Sequence, residues 1–182
     1  FRVLIYSGCR KSEALALTWN DINFNESTIS ISKTLANGLD NRLIVQSPKT
    51  KTGKRVISMD PQTLEILKNW KKLQAEYMLK LGFNVMNKKQ AVITNLKNGY
   101  INPQKIGQVM KKICTRSGIR LITPHGLRHT HCSLLFEAGA TLKEVQDRLG
   151  HADIKTTMNI YAHVTEKKKE ETAVKFAEYL AN

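Results

Sequence analysis

Residues 149–164 of the chain read LGHADIKTTMNIYAHV and contain one tyrosine, Tyr161, between Ile160 and Ala162. A Leu-Gly-His turn opens this stretch, and residues 152–164 are predicted to form a helix after it. Most helical tyrosines pack in a core with a hydrogen-bonded hydroxyl group. The alternative is that Tyr161 attacks a substrate, and the polar residues at the ends of other predicted elements strengthen this second interpretation.

Further polar residues stand at the boundaries of predicted elements. Arg10 begins the second predicted helix within SGCRKSE, and His151 follows the glycine of the LGH turn. His125 and Arg128 form a His-x-x-Arg motif in the first turns of another helix, where residues three apart share a face. Both side chains can therefore point at one anion near the positive end of that helix. Lys51 lies in a tight turn, KTKTGK, between two predicted strands.

This set of side chains suits a phosphate group. Arginine donates paired hydrogen bonds to non-bridging oxygens, so two arginines can hold and neutralise a charged pentacoordinate transition state. No cluster of Asp and Glu accompanies them, so we expect neither a metal ion nor another cofactor, and the arginines would supply the charge stabilisation. Tyr161 fits the task of the nucleophile, and Lys51 that of the proton donor for the leaving alkoxide.

The overall composition favours a polyanionic partner. The chain of 182 residues is long enough for one well-packed domain, and 29 Lys and Arg against 15 Asp and Glu leave a net charge of +14. Such an excess favours DNA or RNA, since neutralised phosphates release counterions. A basic surface kept for solubility is the alternative.

Three scattered cysteines without CxxC spacing are typical of the reduced cytoplasm: Cys9, Cys114 and Cys132. No signal peptide or run of about 20 apolar residues is recognised, so we expect a cytoplasmic protein.

The hydrophobic periodicity predicts an α+β domain that is mainly helical. Strands are predicted at 27–34, 43–50 and 54–59, with a further short one at 91–94. The first three are expected to form a small three-stranded antiparallel sheet near the N-terminus. Asp60 and Pro61 begin a long amphipathic helix whose apolar positions recur at three- and four-residue steps up to Leu81. Other helices are predicted at 1–7, from Lys11 onward, and at 103–118, 123–139, 141–150, 152–164 and 165–180.

Three segments resemble, in order and spacing, the motifs of the tyrosine recombinase family, the phage and transposon integrases. They are SGCRKSEALALTWNDI at 7–22, TPHGLRHTHCSLL at 123–135 and LGHADIKTTMNIYAHV at 149–164. The resemblance implies the tyrosine-recombinase catalytic fold, with residues 1–182 as one catalytic domain. Family members also carry a helical core-binding domain and often an arm-binding domain, and neither is recognised here. We therefore expect a fragment that binds DNA weakly and does not recombine it efficiently.

The resemblance also implies a role for each residue of the phosphate-binding set. Tyr161 would attack a DNA phosphodiester, forming a 3′-phosphotyrosyl link and releasing a 5′-hydroxyl without ATP. Arg10 and Arg128 would bind the scissile phosphate, with His125 and His151 assisting. His125 would also take the tyrosine proton, because a phenol of pKa about 10 is mostly un-ionised at neutral pH.

Two supporting roles follow from the same resemblance. Lys51 would protonate the leaving 5′-oxygen, and Glu13, three residues after Arg10, would support that arginine. The identity of the lysine stays open, because Lys49 and Lys54 lie in the same turn.

Each assignment has an ordinary structural alternative. Arg10 and Glu13 could form a surface pair at a helix end, His125 could cap a helix start, and His151 could cap a helix end. The remaining histidines are interpreted as structural: His129, His131 and His163.

The predicted function is that of a site-specific DNA recombinase of the integrase or excision type, from a mobile genetic element. A type IB topoisomerase-like enzyme, which uses the same chemistry, is one alternative. A non-catalytic DNA-binding module is a second alternative. The complete set of six catalytic positions argues against it. A metal-dependent nuclease is disfavoured because no acidic cluster is visible. The target sequence and the choice between integration, excision and resolution stay open.

The expected partners are double-stranded DNA attachment sites, further copies of the protein in a tetramer on DNA, and accessory DNA-bending or excision factors. No membrane is expected among them.

The last predicted helix, 165–180, carries an apolar stripe at helical spacing: Val174, Ala177 and Leu180, with Ala173 and Phe176 beside them. The resemblance implies that this helix docks on a neighbouring protomer. Packing on its own domain is the alternative.

Overall fold

The computed structural model describes residues 1–39, 42–48, 50–166, 176–177 and 179–181, except for the side chains of 51 and 163–166. The helices are α1 (Arg2–Ser7), α2 (Lys11–Ala16), α3 (Pro61–Lys80), α4 (Pro103–Arg116), α5 (Pro124–Glu137), α6 (Leu142–Leu149) and α7 (Ile154–Glu166). The strands are β1 (Ile22–Asn23), β2 (Thr28–Ile31), β3 (Thr34–Asn37), β4 (Leu43–Gln46) and β5 (Arg55–Ser58). The predicted α+β architecture, mainly helical, is confirmed. No helix in these ranges is long and apolar enough to cross a lipid bilayer.

One β-sheet has three antiparallel strands in the order β1–β2–β5. In β2, Ile29 and Ile31 are buried while Thr28 and Ser30 are half-buried, the alternation of a sheet with one face on a core. Ile29 lies opposite Ile57 of β5. Their apolar face packs with side chains from α1 and α3 in one core cluster. The sheet thereby attaches the N-terminal helices to the rest of the domain.

The strand predicted at 43–50 does not belong to this sheet. Its observed part, β4, pairs with β3 in a separate two-stranded hairpin, with Thr34 opposite Gln46. The three-stranded sheet is thus confirmed, but one of its members was predicted wrongly; the short β1 takes that place. The cause is local, since the Gly38 N–H donates to Arg42 O at 2.8 Å and closes β4 onto its nearest neighbour in sequence.

The strand predicted at 91–94 is not found, and only Ala91 forms an isolated bridge there. Side chains of α3 bind the carbonyl groups of this segment instead. Gln74 Nε2 donates to Ala91 O at 2.9 Å, and Trp70 Nε1 donates to Val92 O at 2.7 Å. Because these side chains occupy the acceptors, the segment is tied to α3 rather than extended into a strand ladder.

The helix starts follow the capping residues read from the sequence. In α3, α5 and α6 a side-chain oxygen accepts the N–H three residues later, and these oxygens belong to Asp60, Thr123 and Thr141. Helix α7 begins at Ile154, two residues after the predicted start, because Asp153 Oδ1 accepts the Lys155 N–H at 2.9 Å. The polar ends of these helices are therefore defined by local sequence.

Helix α5 is the central helix of the C-terminal half and contacts α1, α4, α6 and α7. Cys132 and Phe136 of α5 form a second core cluster with Val145 and Leu149 of α6, and Ile160 of α7 packs against it. This cluster sets the position of the first turn of α5 relative to α6 and α7.

Much of the helix predicted at 165–180 lies outside the described residues, and so do Ala173 and Val174 of its apolar stripe. The described residues 176–177 and 179–181 are helical. Phe176 and Leu180 of the stripe are exposed, 64% and 69% respectively. These two side chains therefore have little cover in the single chain.

Gly150, which ends α6, touches the turn between β4 and β5. Its φ of +66° lies in the left-handed region that favours glycine. A Cβ atom at this position would stand 2.7 Å from Thr52 O and 3.0 Å from Arg55 Nη1. Only a residue without a side chain permits this approach, which joins two segments about 100 residues apart in the chain.

We expect Gly150→Ala to lower the free energy of unfolding more than Gly118→Ala. Gly118 has nearly the same φ, +64°, but nothing lies within 4 Å of its would-be Cβ atom. Both variants carry the left-handed cost of about 1–2 kcal/mol. Only Gly150→Ala adds an overpacking cost of about 1–3 kcal/mol. Urea unfolding measures both losses, and equal losses would contradict the close contact.

Candidate active site

Arg10 is the N-cap residue of α2, and Glu13 folds back onto it. Glu13 Oε2 accepts the Arg10 backbone N–H at 2.8 Å, and Oε1 accepts from Arg10 Nη1 at 2.9 Å. The first contact is the half of a capping box in which the third helical residue satisfies the N-cap amide. The second holds the Arg10 side chain at the helix start, where 45% of it remains exposed.

Glu13 is buried and binds a second arginine. Arg55 of β5 donates from Nη2 to Glu13 Oε2 at 2.9 Å, and the side chains of Glu13 and Arg55 are only 3% and 6% exposed. Burial by itself would raise the pKa of Glu13. The hydrogen bond and charge of Arg55, followed by the hydrogen bonds from Arg10, outweigh burial and hold that pKa below its ordinary value. The carboxylate is therefore ionised at neutral pH and binds both arginines.

Arg128 on α5 is buried and joins the ends of two other helices. Its Nη1 donates to Gly8 O after α1, and its Nη2 donates to Leu149 O at the end of α6, each at 2.7 Å. A cation at helix C-termini is also favoured by the helix dipole. Burial, followed by the charge of Arg10, lowers the pKa of Arg128 to about 10, so the guanidinium stays charged at neutral pH.

His125 lies one turn before Arg128 at the start of α5. Its ring meets that of His129 edge to face, with centroids 4.5 Å apart. Burial, followed by the charges of His129, Arg128 and Arg10, lowers the pKa of His125. Its imidazole is therefore neutral at pH 7 and able to accept a proton.

A cavity of about 280 Å³ lies between the start of α2 and the start of α5. Its lining comprises Arg10, Lys11, Ser12, Thr123, Pro124, His125 and Arg128. Three of the predicted site residues thus surround one opening, and the positive end of the α5 dipole faces it. The charge of the lining suits an anion.

A second cavity, of about 330 Å³, shares Arg10 with the first. It is bordered by Gly150, Ala152 and the turn between β4 and β5, residues 50–54, called the lysine turn below. Lys51 begins a single 3-10 turn there, Lys51–Gly53. The side chain of Lys51, and all of Lys49, lie outside the described residues. The backbone of the lysine turn nevertheless borders the same region as Arg10.

His151 follows Gly150 and is half-buried. Its Nδ1 lies 2.8 Å from Oγ1 of Thr157, a fully buried residue of α7. Burial, followed by the charges of Arg128 and Arg10, lowers the pKa of His151 to about 4. The ring is therefore neutral at pH 7 and held in one orientation from α7.

Tyr161 lies on α7 and is 40% exposed. Its ring packs edge to face on Phe136 of α5, with centroids 5.0 Å apart. Neither cavity that contains Arg10 has Tyr161 in its lining. The structure therefore brings the predicted arginines, His125 and Glu13 together, places His151 beside Gly150, and keeps the tyrosine on the neighbouring helix.

Sequence reasoning missed two polar side chains that bind distant segments of the chain. Arg55 was not singled out, although it shares a face of β5 with the buried Ile57, which is an unusual position for an arginine. His131, interpreted only as structural, donates from Nδ1 to Ile5 O at 2.8 Å and accepts from Arg148 Nε at 3.2 Å. Since a carbonyl only accepts and a guanidinium only donates, this ring is neutral with its proton on Nδ1.

The cysteines do not add a nucleophile to the site. All three are buried and free. Burial raises the pKa of Cys9 and of Cys132 to about 11, so these two thiols stay protonated. In the part of the chain that the structure describes, no group of three or more His, Cys, Asp or Glu side chains could hold a metal ion.

Comparison with known proteins agrees with this fold. Residues 1–168 match the model of the phage integrase family. The chain therefore belongs to the phage integrase family, and the resemblance to tyrosine recombinases noted in the sequence is confirmed.

Two relatives and one solved structure show how far the similarity extends. The ICEBs1 integrase of Bacillus subtilis (strain 168) is 31% identical over 180 residues, which are 99% of this chain and 48% of the relative. A XerC-like tyrosine recombinase of Caldanaerobacter subterraneus subsp. tengcongensis is 34% identical over 93% of this chain and 46% of the relative. The Tn1549 transposon integrase, solved in complex with circular intermediate DNA, has a TM-score of 0.76 at 23% identity, covering 98% of this chain and 57% of that one. The chain thus spans about half the length of the relatives it matches.

We expect the free energy of unfolding to fall as the pH is lowered from about 7 to about 4.5. The pKa values of His131 and His151 are about 4 in the folded chain, against an ordinary 6.5. Between these values the unfolded chain binds more protons, so acid favours unfolding. Protonation of Glu13 lowers the free energy of unfolding further only below its ordinary pKa of 4.5, because its pKa in the folded chain is lowered.

His131→Gln should flatten this pH dependence, because glutamine does not titrate. Urea unfolding at a series of pH values measures the slope for the variant and the unsubstituted chain. Identical slopes would show that His131 does not hold a lowered pKa.

Proposed function

We propose that this chain is the catalytic domain, residues 1–182, of a site-specific DNA recombinase that acts through a tyrosine–DNA intermediate. The observation that carries the proposal is the cavity where Arg10 and Arg128 meet from two helices. Membership of the phage integrase family supports it, as do relatives named integrase and tyrosine recombinase. These names favour recombination over the topoisomerase-like and non-catalytic alternatives.

The arginines are proposed to bind the scissile phosphate. The two carbonyl contacts of Arg128 use two of the five N–H donors of its guanidinium, and the others remain for phosphate oxygens. Arg10 is held by Glu13 yet largely exposed, so it can bind the same group. Donors fixed before the substrate arrives stabilise developing charge without reorganisation, and each is worth about 3–4 kcal/mol in the transition state.

The proposed reaction is a transesterification. The oxygen of Tyr161 forms a bond to phosphorus, and the bond from phosphorus to the 5′-oxygen breaks. The phenol proton passes to His125, which its lowered pKa keeps neutral, and Lys51 protonates the leaving 5′-oxygen. His151, neutral and held by Thr157, assists at the phosphate. One phosphate ester replaces another, so no ATP is required.

Tyr161 must reach the bound phosphate for this reaction. Its ring packs on Phe136 beside α5, and Phe136 belongs to the cluster that holds α5 against α6. We therefore propose that the Tyr161 side chain moves toward the bound phosphate upon DNA binding, while Thr157 in the first turn of α7 continues to hold His151.

The proposed partners are double-stranded DNA attachment sites and further copies of the protein in a tetramer on DNA, together with accessory factors that bend DNA or direct excision. The net charge of +14 supports DNA binding. The exposed Phe176 and Leu180 support docking of the C-terminal segment on a neighbouring copy. A cytoplasmic location is part of the same proposal, consistent with three free cysteines.

Tyr161→Phe should abolish the covalent protein–DNA adduct while preserving the fold, because the change removes only the hydroxyl and keeps the ring on Phe136. The substrate is a nicked duplex, selected from a random-sequence pool by covalent capture on the unsubstituted protein. The adduct is measured on a denaturing gel in EDTA, since the arginines replace a metal ion in the proposed mechanism. Tyr77→Phe, a change at an exposed tyrosine of α3, is the matched control and should leave the adduct unchanged. An undiminished adduct with Tyr161→Phe would refute the proposal.

Lys51→Ala should slow cleavage of an ordinary phosphodiester by about 100-fold or more, the usual contribution of a general acid. A substrate with a 5′-thio leaving group should restore the rate, because a thiolate leaves without protonation. Lys49→Ala and Lys54→Ala are assayed in parallel on both substrates. Rescue of one of these two variants in place of Lys51→Ala would assign the proton donor to that residue.

A further inference from the structure

We infer that Arg55 is a positioning residue for DNA cleavage, which holds the lysine turn in place relative to Glu13 and to the end of α6. The inference rests on the proposed function and assigns a further residue to it. Arg55 does not line the cavity between Arg10, His125 and Arg128, called the arginine cavity below. It therefore acts through the segments that it joins.

The Arg55 guanidinium contacts three separate parts of the chain. Nη2 and Nη1 donate to the two oxygens of Glu13 at 2.9 and 3.4 Å. Nη1 also donates to Gly53 O in the lysine turn at 3.1 Å, and Nε donates to Arg148 O near the end of α6 at 2.7 Å. One side chain thus contacts Glu13, which holds Arg10. It also contacts the backbone of the lysine turn and the end of the helix that precedes His151.

This arrangement requires a planar guanidinium. Arginine presents five N–H donors on three nitrogens in a rigid fork, whereas lysine has one nitrogen on a flexible stem. A lysine at this position would keep a positive charge near Glu13 but could not reach all three acceptor groups at once. The Arg55 side chain is only 6% exposed, so water has little access to replace a lost contact.

The lysine turn has further contacts that depend on Arg55. Gly150 packs against the Arg55 side chain and Thr52 O so closely that a Cβ atom would meet both. If Arg55 loses its contact with Gly53 O, the turn and the start of the His151 segment are free to separate. A displacement of about 1 Å in a reacting group is enough to slow a reaction by about 100-fold.

Arg148 provides a matched control for the structural part of this role. Its guanidinium donates to Ser58 O at 3.1 Å, to Tyr6 O at 2.9 Å and to His131 Nε2 at 3.2 Å. None of these three acceptors belongs to the lysine turn or to Glu13. Arg148→Lys therefore removes comparable contacts from the fold without releasing the lysine turn.

The test compares Arg55→Lys with Arg148→Lys in single-turnover cleavage of the nicked duplex, with an ordinary or a 5′-thio leaving group. Urea unfolding measures the stability of each variant, and the assay temperature is set where both are folded. We expect Arg55→Lys to slow ordinary cleavage by about tenfold or more and to recover most of that loss on the 5′-thio substrate, because the lysine keeps a positive charge beside Glu13 and loses chiefly the contact with Gly53 O that holds the lysine turn. Arg148→Lys should show the same small change on both substrates.

Two results would overturn the inference: unchanged cleavage by Arg55→Lys, or an equal loss on both substrates. The second result would leave Arg55 as a purely structural residue. Three lysine variants distinguish a failure of the Arg55 inference from a failure of the proposed mechanism: Lys51→Ala, Lys49→Ala and Lys54→Ala. If one of them is rescued by the 5′-thio group and Arg55→Lys is not, only the role of Arg55 is wrong. If none is rescued, the assignment of the general acid to Lys51, Lys49 or Lys54 is wrong as well.

Discussion

The buried carboxylate of Glu13 is the contact on which the site depends. Its oxygens bind the backbone and the side chain of Arg10 on one side and the side chain of Arg55 on the other. Removing one partner from a buried ion pair costs about 3–5 kcal/mol, because the remaining charge has no water to solvate it. The same carboxylate caps α2, a helix of six residues. One side chain therefore both caps the helix and positions Arg10.

Burial is the main cause that keeps the histidines of the site neutral, and the neighbouring cations add to it. Burial, followed by the charges of His129 and the arginines for His125 and by those of the arginines for His151, lowers the pKa of each, so both rings are neutral at pH 7. The site therefore combines two kinds of group: permanent cations that suit an anion, and neutral imidazoles that can accept a proton. A lysine in place of Arg128 would not combine a permanent charge with two carbonyl contacts and spare donors.

Many of the contacts that shape the site end on backbone atoms. Arg128 binds Gly8 O and Leu149 O, and Arg55 binds Gly53 O and Arg148 O. The carbonyls of Leu149 and Arg148 accept whatever side chain these residues carry, whereas a Cβ atom at Gly8 would overlap the His131 side chain and one at Gly53 would stand 2.5 Å from Pro48.

The sequence by itself determined the features that depend on neighbours within one or two helical turns. Asp60 and Thr123 were recognisable as caps because each bonds an N–H three residues later. The His125 and Arg128 pair could be placed on one face for the same reason, and the order of the three motifs indicated the family. Only the tertiary structure decided that β4 pairs with β3 and that Tyr161 packs on Phe136, outside the arginine cavity. It alone also assigned partners to Arg55 and His131, because Glu13 is 42 residues from Arg55 and Ile5 is 126 residues from His131. A buried polar side chain must find an acceptor somewhere, but no local pattern specifies which distant segment the packing of the core will bring to it.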